Sequence, residues 1–207
     1  FEPDANEALG RGLKVGFLGQ LHFEITASRL EREFNLEFLT SFPSIAYRVL
    51  LRNGADYHGT NTDQHGKSQY KSVIVNQPQD FPDKPEKVWQ PMIKLEIISP
   101  RNYLSQITSL KNVFDLEIKE IKNLGDNLVI GARMPLAELI RDFDDRIKSA
   151  SAGFASFSYE LDGDVEAEVE RLEILIVGEP VAALTRIVPK KDVEREGRQS
   201  VERLKDL

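Results

Sequence analysis

Apolar positions along the chain fall into runs whose spacing changes from one stretch to the next. Between residues 20 and 35, Phe23, Ala27, Leu30 and Phe34 recur at helical spacing, which predicts a helix with one packed face. Before it, RGLKVGFLG is short and bounded by glycine. After it, LEFLTSFPSIAYRVLL alternates and is rich in β-branched and aromatic residues, with Pro43 marking an edge or bend. Residues 11–50 thus predict strand, helix, strand. From Asn53 to Pro91 the character changes to four prolines, three glycines, two histidines and many polar residues, and only SVIVNQ at 72–77 is expected to be extended. The segment 51–88 is expected to be an irregular linker or insertion.

A second periodic region follows. WQPMIKLEII predicts a strand, Ser99 is placed to cap a helix, and Pro100 falls at the first helical position, where its missing N–H costs nothing. Tyr103, Ile107, Leu110 and Phe114 then form a stripe to be buried. LEIKEIKN and NLVIGARM alternate around LGDN, whose Gly125 is turn chemistry, and predict a hairpin. Pro135 starts another helix, with Leu136, Leu139, Ile140, Phe143 and Ile147 inward and Arg141, Asp142, Asp144, Asp145 and Arg146 outward, stopped near Gly153. FASFSYEL alternates Ala155, Phe157, Tyr159 and Leu161 against polar partners.

The order over 89–161 is β, α, β, β, α, β, a ferredoxin-like split βαβ unit with an antiparallel sheet. RLEILIVG and PVAALTRIV add a hairpin around Gly178, and a charged helix begins near Lys191. The expected class is α+β, with a partial unit at 1–50, the linker at 51–88, the ferredoxin-like unit at 89–161 and a hairpin plus helix at 162–207.

The 207 residues, 41% apolar and 29% charged, suffice for one or two cores and contain no run near the roughly 18 apolar residues of a membrane span. The absence of cysteine removes disulfides, thiolate metal sites and cysteine nucleophiles, and fits a reducing compartment. FEPDANEALG lacks a signal core and starts without methionine, so a cut end is expected. The net charge of −7 argues against nonspecific polyanion binding, because such binding draws on clustered cations that displace counterions. Residues 89–161 carry nine basic and ten acidic groups against eight and twelve in 162–207, so any RNA contact is expected to be local.

Candidate chemistry is sparse. HGKS at 65–68 resembles the end of a phosphate-binding loop, but the glycine that such a loop needs would fall at Asn61, and no helix start follows. His58, Asp63 and His65 have ligand chemistry, although a polar loop is the commoner reading of that composition. His22 and Glu24 lie two apart on a helix and point to different faces. Glu166, Glu168 and Glu170 read as a solvated acidic run. The best functional patch is Arg146, Lys148, Ser149, Ser151 and Gly153, where cations and hydroxyls end a helix and can meet a phosphate backbone without reading bases. Simple helix capping explains the same residues, since cations there also suit the helix dipole.

The run GLKVGFLGQLHFEITASRLEREFNLEFLTSFPSIAYRV at 12–49 resembles the third domain of the LepA, or elongation factor 4, family of translational GTPases. PLAELIRDFDDRIKSASAGFASFSYEL at 135–161 resembles the second helix and last strand of that family's domain V, and VGEPVAALTRIV and RQSVERLKDL continue in the same order. Elongation factor G places a whole domain between the two blocks, whereas about forty residues separate Val49 from Trp89 here, which is similar to LepA. The family usually places a basic residue and a glycine after the first helix of domain V, where this sequence reads KNVFDLEI, and Gln20 occupies a usually apolar position.

The resemblance implies two ferredoxin-like domains, the first incomplete, joined by the linker. It implies that the GTPase domain, with its GTP and magnesium, and most of a tRNA-facing C-terminal domain lie outside this chain. No cofactor and no catalysis are then expected within it. The implied partners are the ribosome near its GTPase centre, through rRNA and ribosomal proteins, and tRNA through the missing domain. A monomeric, cytoplasmic protein is implied, with peripheral membrane association open to the parent family and an organellar matrix as the alternative compartment. The whole factor is implied to move tRNAs backward by one codon or to aid synthesis under stress. A free-standing ferredoxin-like module for a small ligand or protein, and a hydrolase with a metal in the 53–88 loop, are the competing readings.

Overall fold

The computed structural model describes residues 2–6, 10–15, 17, 20–36, 44–52, 62–63 and 70–205. A short antiparallel pair, β1 (Glu2–Asn6) and β2 (Gly10–Lys14), precedes α1 (Gln20–Phe34). The helix has the predicted length, but its stripe does not pack as expected. Phe23, Ala27 and Leu30 are half-buried and Phe34 is 65% exposed. None of these residues belongs to either hydrophobic core among the described residues. Spacing specifies which side chains share a face; it does not supply the surface that covers them.

Among the described residues the main sheet has seven strands, all paired antiparallel. They are β3 (Tyr47–Arg52), β4 (Thr62–Asp63), β5 (Tyr70–Val75), β6 (Lys87–Pro100), β7 (Glu117–Leu124), β8 (Asn127–Pro135) and β9 (Ser156–Glu166). The order β7, β8, β6, β9 is the predicted ferredoxin-like arrangement. Ile93, Leu95 and Ile97 of β6 face Met134, Ala132 and Ile130 of β8 in register, and all six are buried. Over them pack Ile107 of α2 (Leu104–Ser109), Leu110 and Phe114 on one side, and Phe143 and Ile147 on the other. Phe143 meets Phe114 and Phe157 edge to face at centroid distances of 5.2 and 5.6 Å.

Several expectations need correction. Ser99 caps no helix: it is buried within β6, its hydroxyl 3.3 Å from the Pro100 carbonyl, and after Pro100 a 3₁₀ turn at Arg101–Tyr103 leads into α2. The helix after Pro135 is broken. It runs as α3 (Leu136–Glu138), a π-helical turn at Leu139–Phe143 in which Asp142 leaves helical geometry, and α4 (Asp144–Ala150). The wider turn rotates the face, so Ile140 is exposed and Glu138 is buried. Tyr159 and Leu161 share the inward side with Phe157, opposite Leu95 and Ile93, yet β9 is an edge strand and they are 55% and 69% exposed.

The stretch expected as irregular linker contributes β5, which lies between β4 and β3, while β3 also pairs with the first residues of β6. Val73, Val75, Phe81 and Val88 from that stretch join Ile45, Tyr47, Val49 and Leu51 in a second core. Its prolines punctuate the strands and do not replace them. Pro91 falls in β6 where the partner on one side changes from β3 to β8 and the register with β9 shifts, an irregular point of the ladder where a residue without an N–H is tolerated.

The C-terminal hairpin forms as predicted. Strand β10 (Val169–Leu172) closes the second core and pairs with the returning β13, while β11 (Leu175–Ile176) and β12 (Glu179–Pro180) flank Gly178, and β13 (Arg186–Pro189) leads to α5 (Val193–Lys205).

Candidate nucleic-acid interface

The predicted patch lies at one pole of the ferredoxin-like unit, where α4 ends, α2 begins and the β7–β8 turn at Gly125 closes. The end of α4 is locked by its backbone. Gly153 N–H donates to Lys148 O at 2.8 Å and Ala152 N–H to Ser149 O at 3.4 Å, with left-handed φ of 49° at Ala152 and 82° at Gly153. This is a Schellman closure in which an alanine occupies the position that usually favours glycine.

The five predicted residues divide by role. Ser151 is fully buried. Its hydroxyl donates to Ile147 O at 2.8 Å and accepts from Ala155 N–H at 3.0 Å, so it caps α4 and starts β9 instead of facing a partner. Gly153 serves the same closure. Ser149, Arg146 and Lys148 are exposed. Arg146 Nε lies 3.1 Å from Asp142 and Lys148 Nζ 2.6 Å from Asp144. The hydrogen bond and charge of Asp144 raise the lysine pKa, so it stays protonated. Exposed pairs of this kind are weak and exchangeable with other anions.

Sequence reasoning missed Phe154, which the same closure holds out from the surface. Its N–H donates to Ser151 O at 2.9 Å, its ring is 67% exposed, and one side stacks on Tyr103 with centroids 5.9 Å apart and planes 16° from parallel. The signal was its phase: within FASFSYEL it falls with Ser156, Ser158 and Glu160, the polar side of the strand. Arg101, two residues before Tyr103, donates to Gly125 O at 2.9 Å and ties α2 to the hairpin turn.

A second feature is a recess of about 620 Å³ at the other end of the broken helix, lined by Tyr47, Glu138, Arg141, Arg186 and Glu196 among others. Burial raises the pKa of Glu138 and outweighs Arg141, whose Nη2 lies 3.0 Å from the carboxylate without hydrogen-bond alignment. Burial, and then the charge of Glu138, push the Tyr47 hydroxyl above its ordinary value. Arg186 donates to Glu196 O at 3.1 Å and Ser200 Oγ at 2.6 Å; burial lowers its pKa, and Glu196 opposes that shift.

His22 is exposed on α1. His58, His65 and the HGKS stretch lie outside the described residues, as do the side-chain surroundings of Asp63. Among the described residues no helix is long and apolar enough to cross a membrane.

Residues 88–175, which contain the whole ferredoxin-like unit, match the family described as elongation factor G C-terminus. The chain is 36% identical over 209 aligned positions to elongation factor 4 of Corynebacterium urealyticum, an alignment that spans 100% of this chain and 31% of that protein's length.

Proposed function

The chain belongs to the elongation factor 4 family of translational GTPases, and from that premise we propose that it is the ribosome-docking portion of a LepA-like factor. The observation that carries this reading is the locked end of α4, where Lys148, Ser149 and Phe154 face solvent from a rigid closure within the segment that matches the elongation factor G C-terminus. Rigid placement lowers the ordering cost of docking, and cations beside it suit a phosphate backbone. In this reading the whole factor works in the cytoplasm, on ribosomes near their GTPase centre. There it moves tRNAs back by one codon, while GTP and magnesium are held in a domain outside this chain.

Co-sedimentation of the 207-residue chain with ribosomes, as a function of salt, tests the proposal. Wild type is expected to pellet with ribosomes, and the double variant Arg146→Glu, Lys148→Glu to lose most of that binding, because reversing two cations removes phosphate attraction and adds repulsion. Unchanged binding of the double variant overturns the assignment of the patch. The recess beside Glu138 favours a second reading, a free-standing module for a small ligand; it predicts no co-sedimentation of the wild-type chain.

A further inference from the structure

We propose that Phe154, backed by Tyr103, is a stacking platform for one unpaired RNA base, with Lys148 meeting the adjoining phosphate. The inference rests on the ribosome-docking reading and adds to it a residue and a mode of contact. Three observations support it. The first is geometry. Phe154 has one face against a near-parallel ring, and its 67% exposure leaves the other face and the rim open to solvent. A single flat π-surface of this size matches a splayed-out base, which gains from stacking whatever its identity.

The second is rigidity. Ala152, Gly153, Phe154 and Ala155 all give their N–H groups to the last turn of α4 or to Ser151, which caps it: to Ser149 O, Lys148 O, Ser151 O and Ser151 Oγ. The aromatic therefore stands on a fixed base even though it is exposed. That also gives Ser151 and Gly153 their part in the site: they position Phe154 and do not contact the partner.

The third is chemistry. The Lys148 carbonyl receives the Gly153 N–H, which places this lysine in the last turn of α4 with its ammonium on exposed Asp144, an exchangeable pair, and Arg101 lies in the turn that carries Tyr103. Beside Phe154 in the chain, exposed Ala152, Gly153 and Ser156 add no large apolar side chain, and Leu124 at the neighbouring hairpin turn is half exposed. A single base needs no more apolar surface than one ring supplies.

The test uses the full chain with large ribosomal subunits. Phe154→Ala is expected to weaken binding by on the order of tenfold to a hundredfold, and Phe154→Tyr to leave it within about threefold. Phe154→Leu keeps apolar bulk but loses the π-face, and is expected to fall close to the alanine variant. In a Trp89→Phe background, Phe154→Trp provides a single fluorophore, whose emission is expected to be quenched by the subunit as a base stacks on it.

Wild-type binding by Phe154→Leu, or weakened binding by Phe154→Ala with no quenching of the tryptophan, identifies an apolar contact with a ribosomal protein and overturns the inference. Unchanged binding of Phe154→Ala, with the subunit still bound, overturns it while leaving the docking reading intact. If the wild-type chain binds no subunit, the docking reading fails. The platform is then judged with a single-stranded adenosine dodecamer, where absence of quenching overturns it as well.

Discussion

Two helical regions of this molecule reverse the usual association between regularity and strength. Helix α1 runs 15 residues without a break and buries none of its described side chains, whereas the segment from Leu136 to Ala150 is split by a π-helical turn and carries Phe143 and Ile147 at zero exposure. In water, helices of this length draw most of their stability from the surface they cover. The broken helix lies on a sheet with Ile93, Leu95, Ile97 and Ile130 beneath it, and among the described residues no side chain of the unbroken one belongs to either core.

The contrast is broken most directly at its centre. Phe143→Ala removes the ring that joins Phe114 to Phe157 and is expected to cost about 3–5 kcal/mol in chemical denaturation, while Phe34→Ala on α1 should remain within about 0.5 kcal/mol of wild type. Equal effects from the two substitutions would remove the distinction. At the C-terminal end of the broken helix, Ser151→Ala leaves the Ala155 N–H without its acceptor in a buried position and is expected to cost about 1–3 kcal/mol by the same measurement.

The N-terminal end of the broken helix contributes through pH. Because burial raises the Glu138 carboxyl above its ordinary value of 4.5, the folded protein keeps a proton there that the unfolded chain has released. Stability from this group therefore falls as pH rises from about 4.5 towards the folded value, and Glu138→Gln is expected to flatten that part of a plot of melting temperature against pH. A slope unaltered by the substitution would assign it to other groups. The smallest effect sharpens the comparison by stabilising: Ala152→Gly relieves a left-handed alanine and should add about 0.5–1 kcal/mol, read as a higher denaturation midpoint.

What could be read from the sequence follows the same division between pattern and cover. The stripe of Tyr103, Ile107 and Leu110, the hairpin at Gly125 and the stop at Gly153 are local, and each took the predicted place. Ser99 has the chemistry of a cap, but burial within β6 outweighed it, and burial depends on a strand distant in sequence. The inward phase of Tyr159 and Leu161 was legible, while their exposure depends on β9 being an edge. Within the candidate site, Lys148 could be found by residue type. Ser151 was found for the wrong reason, since its hydroxyl serves the backbone. The polar-side phase of Phe154 in FASFSYEL was legible, whereas its stacking on Tyr103, 51 positions earlier, was not.

Strand β6 has a consequence for how the protein comes apart. One unbroken strand of 14 residues puts Val88 in one core and Ile93, Leu95 and Ile97 in the other, and β9 runs beside it past the change of partner at Pro91. Neither core can open fully while β6 stays in place, and releasing β6 strips a wall from both. Amide protons of Leu95 and Ile97 should therefore exchange with solvent only through whole-molecule opening, while those of α1 exchange by local fraying. A force applied across the chain would meet one shared spine, so the two cores are expected to yield in a single event.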